Sequence, residues 1–216
     1  MLQQILKDTN AANALLVAVS KTKPNEQVLD IYNQGHRTFG ENKVQELKEK
    51  HKTLPKDIDW HFIGHLQTNK VKDIAPFVKL IHAVDSLKLL KEINKQAAKN
   101  ERVIDCLLQF HIAEESTKFG LHKDDAEHLL QSAAAMKLAN VRIVGVMGMA
   151  TFTDNKEQIR NEFKTLRNIF KTLKDGHFKN AAHFKEISMG MSGDYKIALK
   201  EGSTMVRVGS LIFGVR

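Results

Sequence analysis

The chain has 216 residues, 42% hydrophobic and 27% charged, with a formal net charge of +8. That composition suits a globular protein with a sizeable core, and no apolar run approaches the ~20 residues that a membrane helix needs. A single cysteine, Cys106, excludes an intrachain disulfide and fits a reducing cytoplasm.

The first residues lack a basic region followed by an apolar core, so a cytoplasmic location is expected. The spacing of Leu2, Ile5, Leu6 and Thr9 predicts a helix over 2–12. The apolar run 15–19 reads as a buried strand that delivers Ser20, Lys21, Thr22 and Lys23 at its exit. Pro24 opens a helix carried by Val28, Leu29, Ile31 and Tyr32 to Gly35. A short strand at 37–39, closed by Gly40, precedes a helix running through His51. Strands then read at 60–64, 78–84, 103–112, 141–147, 184–188 and 205–208. Between them fall helices at 68–74, from Ser86 to Ala98, at 124–136, 158–173 and 194–199. Cys106 lies in an apolar run and reads as an inert core thiol. The lysines, Lys48, Lys50 and Lys52 among them, read as solvated helix faces. The positive charge favours anionic partners, but no aromatic residues interleave with it, so nucleic acid is not expected.

About eight strands alternating with helices, on runs too continuous for a one-sided antiparallel sheet, predict an α/β fold. A (β/α)8 barrel forming one domain over 1–216 is expected, with the N-terminal helix covering the missing last position. The competing open sheet would be expected to show a glycine fingerprint after its first strand, and SKTKP has none.

In such a barrel the site lies at the C-terminal strand ends. Lys21 stands at the first of them. Burial of an ammonium lowers its pKa and makes lysine a nucleophile for aldehydes, although a lysine at a strand end ordinarily snorkels into water. The other ends supply Asn42, His65, Asp85, Ser86 and His111, then a loop with Glu114, Glu115, Ser116 and Lys118. Asn42, Asp85 and Ser86 have an ordinary reading as helix caps, and His65 as a hydrogen-bonded loop residue. Met147, Met149, Met189 and Met191 have one as fillers of irregular space. His61 and His65 lie four apart on a strand–loop passage with no carboxylate at a familiar offset, so no metal is expected. The last two ends, MGMSGD and VRVGS, pair small residues with hydroxyls in turns that expose backbone N–H groups, which suits a phosphate. An aldehyde trap at Lys21 and a phosphate cradle at Ser192, Gly193, Gly209 and Ser210 together suit pyridoxal 5′-phosphate. Arg207, pointing inward, would reach the pyridine nitrogen.

With those residues in hand, the chain resembles the YggS/PROSC type of pyridoxal phosphate homeostasis proteins. The likeness rests on LLVAVSKTKP, FGENKVQE, WHFIGHLQTNK, KFG, VGVMGM and EISMGMSGDYKIALKEGSTMVRVGSLIFG, spread over nearly the whole chain. It implies a barrel similar to the N-terminal domain of alanine racemase and a Schiff base on Lys21. It also implies phosphate held by Ser192, Gly209 and Ser210, and Arg207 near the ring nitrogen. Asn42, Met147, Gly193 and Lys23 complete the candidate cofactor-binding set. The family is regarded as carrying and buffering pyridoxal phosphate, with PLP-dependent apoenzymes as recipients and no established catalytic reaction.

A guanidinium cannot accept a proton, so Arg207 would keep the ring nitrogen unprotonated and the ring a weaker electron sink. Alanine racemase takes one base from a second domain, for which no residues remain here. His65, His111 and Lys118 are the remaining candidates for a second base. A carrier without catalytic residues is therefore expected, with a PLP-dependent amino-acid racemase as the alternative. A monomer is expected from the charged outer helices. Lys23, two residues from Lys21 on an extended chain, is expected to point to the same side and lower the pKa of Lys21. Lys118 is a candidate secondary acceptor.

Overall fold

The computed structural model describes residues 1–114 and 120–214. Its strands are β1 (Leu15–Val19), β2 (Thr38–Glu41), β3 (Asp59–Phe62), β4 (Leu80–Val84), β5 (Ile104–Gln109), β6 (Val141–Met147), β7 (Glu186–Ser188) and β8 (Met205–Val208). They pair in parallel and in chain order into a closed barrel, with β8 returning to β1. The expected β/α barrel is therefore present.

Alternation along the strands separates two apolar layers. Val17, Leu80, Leu107, Val144, Met147 and Met205 fill the barrel interior. Leu16 and Ala18, the neighbours of Val17, face outward with Phe39, Trp60 and Ile81 under the helices. Those helices are α1 (Leu2–Ala11), α2 (Asn25–Asn33), α3 (Val44–Thr53), α4 (Val71–Ile74), α5 (Leu87–Lys99), α6 (Lys123–Ala135), α7 (Lys156–Asp175) and α8 (Tyr195–Lys200). A single 3-10 turn, Thr68–Lys70, leads into α4. Ser86 caps α5 by accepting the Leu89 N–H at 3.3 Å, as its position ahead of the apolar stripe predicts.

Several boundaries differ from expectation: β3, β4 and β5, expected at 60–64, 78–84 and 103–112, are Asp59–Phe62, Leu80–Val84 and Ile104–Gln109. β2 does not stop at Gly40 but runs to Glu41, because Gly40 and Glu41 stay in register with His61 and Phe62 on β3. β7 begins only at Glu186, because Phe184 leaves the ladder to stack on Phe178 and Phe170. A last helix, α9 (Ser210–Phe213), follows β8 and occupies the position assigned to the N-terminal helix. One turn long, it shows no periodicity. The N-terminal helix instead meets α8, where the Tyr195 hydroxyl donates to Asp8 at 2.8 Å.

Candidate functional site

The turn leaving β1 is held from behind by buried charge. Ser20 is fully buried; its N–H donates to Gly40 O at 3.1 Å and its hydroxyl to Glu41 Oε1 at 2.6 Å. Thr22 takes a left-handed φ of +63°, a conformation a β-branched residue rarely adopts. Its N–H donates to Glu46 Oε1 at 2.6 Å. One ammonium joins these contacts: Lys50 Nζ lies 2.6 Å from Ser20 O, 2.7 Å from Glu41 Oε1 and 2.8 Å from Glu46 Oε1. Lys50 is 4% exposed, so it is not the solvated helix residue its spacing suggested. The signal missed was Glu41, an acid at the end of a fully buried strand and so in need of a buried cation. Burial raises the Glu41 carboxyl above its ordinary range, with Lys50 opposing that rise.

Lys21 sits half-buried on this turn. The chain between Lys21 and Lys23 is not extended, although the expectation of a shared side assumed that it was. The left-handed Thr22 breaks the extended geometry, and Lys23 Nζ donates to Phe213 O at 3.0 Å and Gly214 O at 3.1 Å. Lys23 thus ties the β1 exit to the last turn of the chain. On the next strand end, Asn42 packs under Gly64, where a Cβ would come within 2.2 Å of Asn42 O. The Asn42 Oδ1 atom is buried and has no hydrogen-bond partner among the described residues.

Arg207 points into the barrel, as its place between outward Val206 and Val208 predicts. It is 4% exposed, donates from Nη1 to Ser188 Oγ at 2.6 Å and from Nη2 to Gly148 O at 3.0 Å. Burial pulls its pKa down to about 10, against the opposing charge of Asp194. Ser188 and two histidines, His61 and His82, continue this polar group across the interior. None of these three was a candidate binding residue. Their inward register is the signal, and a lone histidine on a strand does not reveal it.

The two glycine-hydroxyl ends meet. Ser192 Oγ accepts the Gly209 N–H at 3.2 Å. Asp194 closes the same loop by accepting the Met191 N–H at 2.5 Å. Gly209 lies against β1, where a Cβ would stand 3.0 Å from Val19 O and 3.2 Å from Val19 Cβ. Beside Gly193 there is open space, and Ser210 is exposed at the start of α9. Since Val17 and Ala18 pair with Arg207 and Val208, the seam between β1 and β8 brings Lys21, Arg207 and this loop pair to one end of the barrel.

Other candidates fall elsewhere. Met147 is 1% exposed and packs in the interior cluster. His65 lies at the rim with Nδ1 3.4 Å from Asp85. His61 turns inward, away from any shared site with His65. His111 rests beside His122. Glu115, Ser116 and Lys118 lie outside the described residues. Cys106 is buried, and burial pushes its thiol pKa up, as an inert core residue requires. Among the described residues no helix is long and apolar enough to cross a membrane.

Comparison with known proteins matches this architecture. The family model for the alanine racemase N-terminal domain matches residues 2–216. A pyridoxal phosphate homeostasis protein of Aquifex aeolicus is 40% identical, over 94% of this chain and 87% of its own. PipY of Synechococcus elongatus, in a structure without PLP, superposes with a TM-score of 0.88 at 30% identity, covering 99% of this chain and 100% of that one. With PLP bound, the same protein gives a TM-score of 0.83 at 32% identity, covering 94% and 93%. Alanine racemase of Streptomyces lavendulae shares the fold, with a TM-score of 0.75 at 15% identity, over 98% of this chain and 56% of that one. The chain belongs to the pyridoxal phosphate homeostasis protein family, built on a barrel of the alanine racemase N-terminal type.

Proposed function

We propose that this barrel binds pyridoxal 5′-phosphate reversibly through Lys21 and serves as its intracellular carrier and buffer. The seam between β1 and β8 carries the reading: it sets an amine, a buried guanidinium and a loop pair with backbone and hydroxyl donors at one barrel end. Two features fit such a ligand. Gly209 lies against Val19 so closely that a Cβ would press on it at 3.0 and 3.2 Å, which keeps this loop backbone next to β1. Asn42 Oδ1 is a buried acceptor still in need of a donor. The relatives named for pyridoxal phosphate homeostasis and the PLP-bound PipY support the same ligand.

In this reading Ser192, Gly193, Gly209 and Ser210 hold the phosphate, and Lys21 Nζ holds the aldehyde carbon. Asn42 supports the ligand at the neighbouring strand end. When bound, the ligand supplies an electrophilic carbonyl and an electron-withdrawing ring. Arg207, a pure donor, would meet the ring nitrogen, keep it unprotonated and so weaken that withdrawal. The interior imidazoles His61 and His82 are tied to each other and to Ser188, so neither stands ready as a base toward a bound amino acid. These features favour a carrier over a racemase; we take PLP-dependent apoenzymes as its recipients and a monomer as its working form.

The test adds pyridoxal 5′-phosphate, records the visible spectrum, reduces with borohydride and maps the modified peptide. A visible band that collapses on reduction, with the label on Lys21, is expected, together with no racemisation above background. Absence of the band, or a label elsewhere, overturns the reading.

A further inference from the structure

The proposed function uses only one end of a buried polar chain that crosses the barrel. His61 on β3, His82 on β4, Ser188 on β7 and Arg207 on β8 are each at most 4% exposed. His61 Nδ1 lies 3.0 Å from His82 Nε2, and His82 Nδ1 lies 3.0 Å from Ser188 Oγ. Arg207 Nη1 lies 2.6 Å from the same oxygen.

The donors and acceptors set a direction. A guanidinium only donates, so the Ser188 oxygen accepts from Arg207. The Ser188 proton then goes to His82 Nδ1. His82 must carry its own proton on Nε2 and donate it to His61 Nδ1, which leaves His61 protonated on Nε2. The opposite sense would leave the Ser188 proton without an acceptor among the described residues. Both rings are neutral: burial pushes His61 down to about 3, helped by the charge of Lys79. It holds His82 well below its ordinary value, helped by His61 and Arg207. The charge that opposes the burial of Arg207 is Asp194.

We propose that His61 and His82 are positioning residues for Arg207: their fixed tautomers turn the Ser188 hydroxyl so that its oxygen faces the guanidinium. With Nη1 held by Ser188 and Nη2 by Gly148 O, the plane of the group is set from two strand ends. The proposal deepens the reading of Arg207 as partner of the pyridine ring and rests on it.

Two measurements test it. Nitrogen-15 NMR of the protein without added ligand is expected to show both rings neutral, with the proton on Nε2, between about pH 5 and 9. A proton on His82 Nδ1, or either ring titrating near its ordinary ~6.5, overturns the proposal. The second measurement compares His82→Leu, which removes the acceptor, with His82→Asn, whose amide oxygen takes the Nδ1 position. His82→Leu is expected to displace the visible band of added pyridoxal 5′-phosphate and weaken its retention about tenfold, and His82→Asn to stay within about twofold of wild type. Equal behaviour of the two variants overturns the proposal. Should His82→Leu fail to fold, the ring-nitrogen spectra of the unaltered protein decide. Correct tautomers with no visible band in the unaltered protein overturn the functional reading and leave the network standing.

Discussion

Lys50 Nζ and Glu41 Oε1 lie 2.7 Å apart with both side chains at most 5% exposed, directly behind the turn that carries Lys21. Removing one partner of such a pair strands the other charge away from water. Lys50→Met is therefore expected to destabilise the protein by about 3 kcal/mol in urea unfolding, and Glu41→Gln combined with Lys50→Met to recover much of that loss. An equally destabilised double variant would show that packing, not charge, is at stake.

The same pair sets a pH dependence. Glu41 has a raised pKa when folded, so the folded state binds the proton more tightly than the unfolded one. Its contribution is full below the unfolded value of 4.5 and is lost as pH rises through the folded value. Without Lys50 that rise is larger. The cost of Lys50→Met should therefore be smaller at about pH 5 than at about pH 7, read from urea midpoints at each pH. A cost independent of pH counts against Glu41 as the stranded group.

Lys23 should matter for the end of the chain and not for the reactivity of Lys21. Lys23→Ala loses the bonds to Phe213 O and Gly214 O. Amide exchange over residues 210–213 is expected to speed up at least several-fold. The pH dependence of covalent attachment at Lys21 should stay where it is. A displaced profile would restore an electrostatic link between the two lysines.

Gly209 and Gly193 should respond oppositely to a methyl group. At Gly209 the added carbon meets Val19 backbone and Cβ at 3.0 and 3.2 Å, so the seam must widen. Gly209→Ala is expected to cut pyridoxal 5′-phosphate retention by at least about tenfold. At Gly193 nothing lies within 4 Å, and Gly193→Ala should unfold within about 0.5 kcal/mol of wild type. Spectral titration and urea unfolding check the pair; equal retention in both would show that the close approach of Gly209 to Val19 does not govern binding.

Asp8 supplies an acid-side signature. The Tyr195 hydroxyl, then Gln4, holds its carboxyl below the ordinary 3.8. A lowered acid contributes stability above the unfolded value and loses it as pH falls through the folded one. Tyr195→Phe should flatten the loss of stability below about pH 4 in thermal melts. An unchanged acid limb would assign that loss to other groups.

Most of the barrel was legible because its strands are nearly continuous apolar runs: the bounds of β1, β6 and β8 fall where the sequence puts them. The inward direction of Arg207 was legible, and so was the placing of two glycine-hydroxyl turns at neighbouring strand ends, though not the hydrogen bond between Ser192 and Gly209. Lys50 was not, because its burial depends on Glu41 nine residues earlier across a strand–helix packing that no periodicity records. The turn at Thr22 was not legible, because a threonine gives no warning of a left-handed φ. The His61–His82–Ser188 chain escaped for a related reason. Its members come from three separate strands, and closure of the ring, not spacing along any one of them, makes them neighbours.

That the last strand closes onto the first has a consequence in time. The turn at Lys21 is made well before Ser192, Arg207 and Gly209, and Lys23 reaches Phe213 across 190 positions of sequence. Contacts so distant along the chain form late in folding. A nascent chain therefore lacks the β8 side of the seam until Arg207 and Gly209 have been made. On the proposed reading, uptake of pyridoxal 5′-phosphate then reports that the whole ring has been assembled, and a chain stalled before β8 would remain indifferent to it.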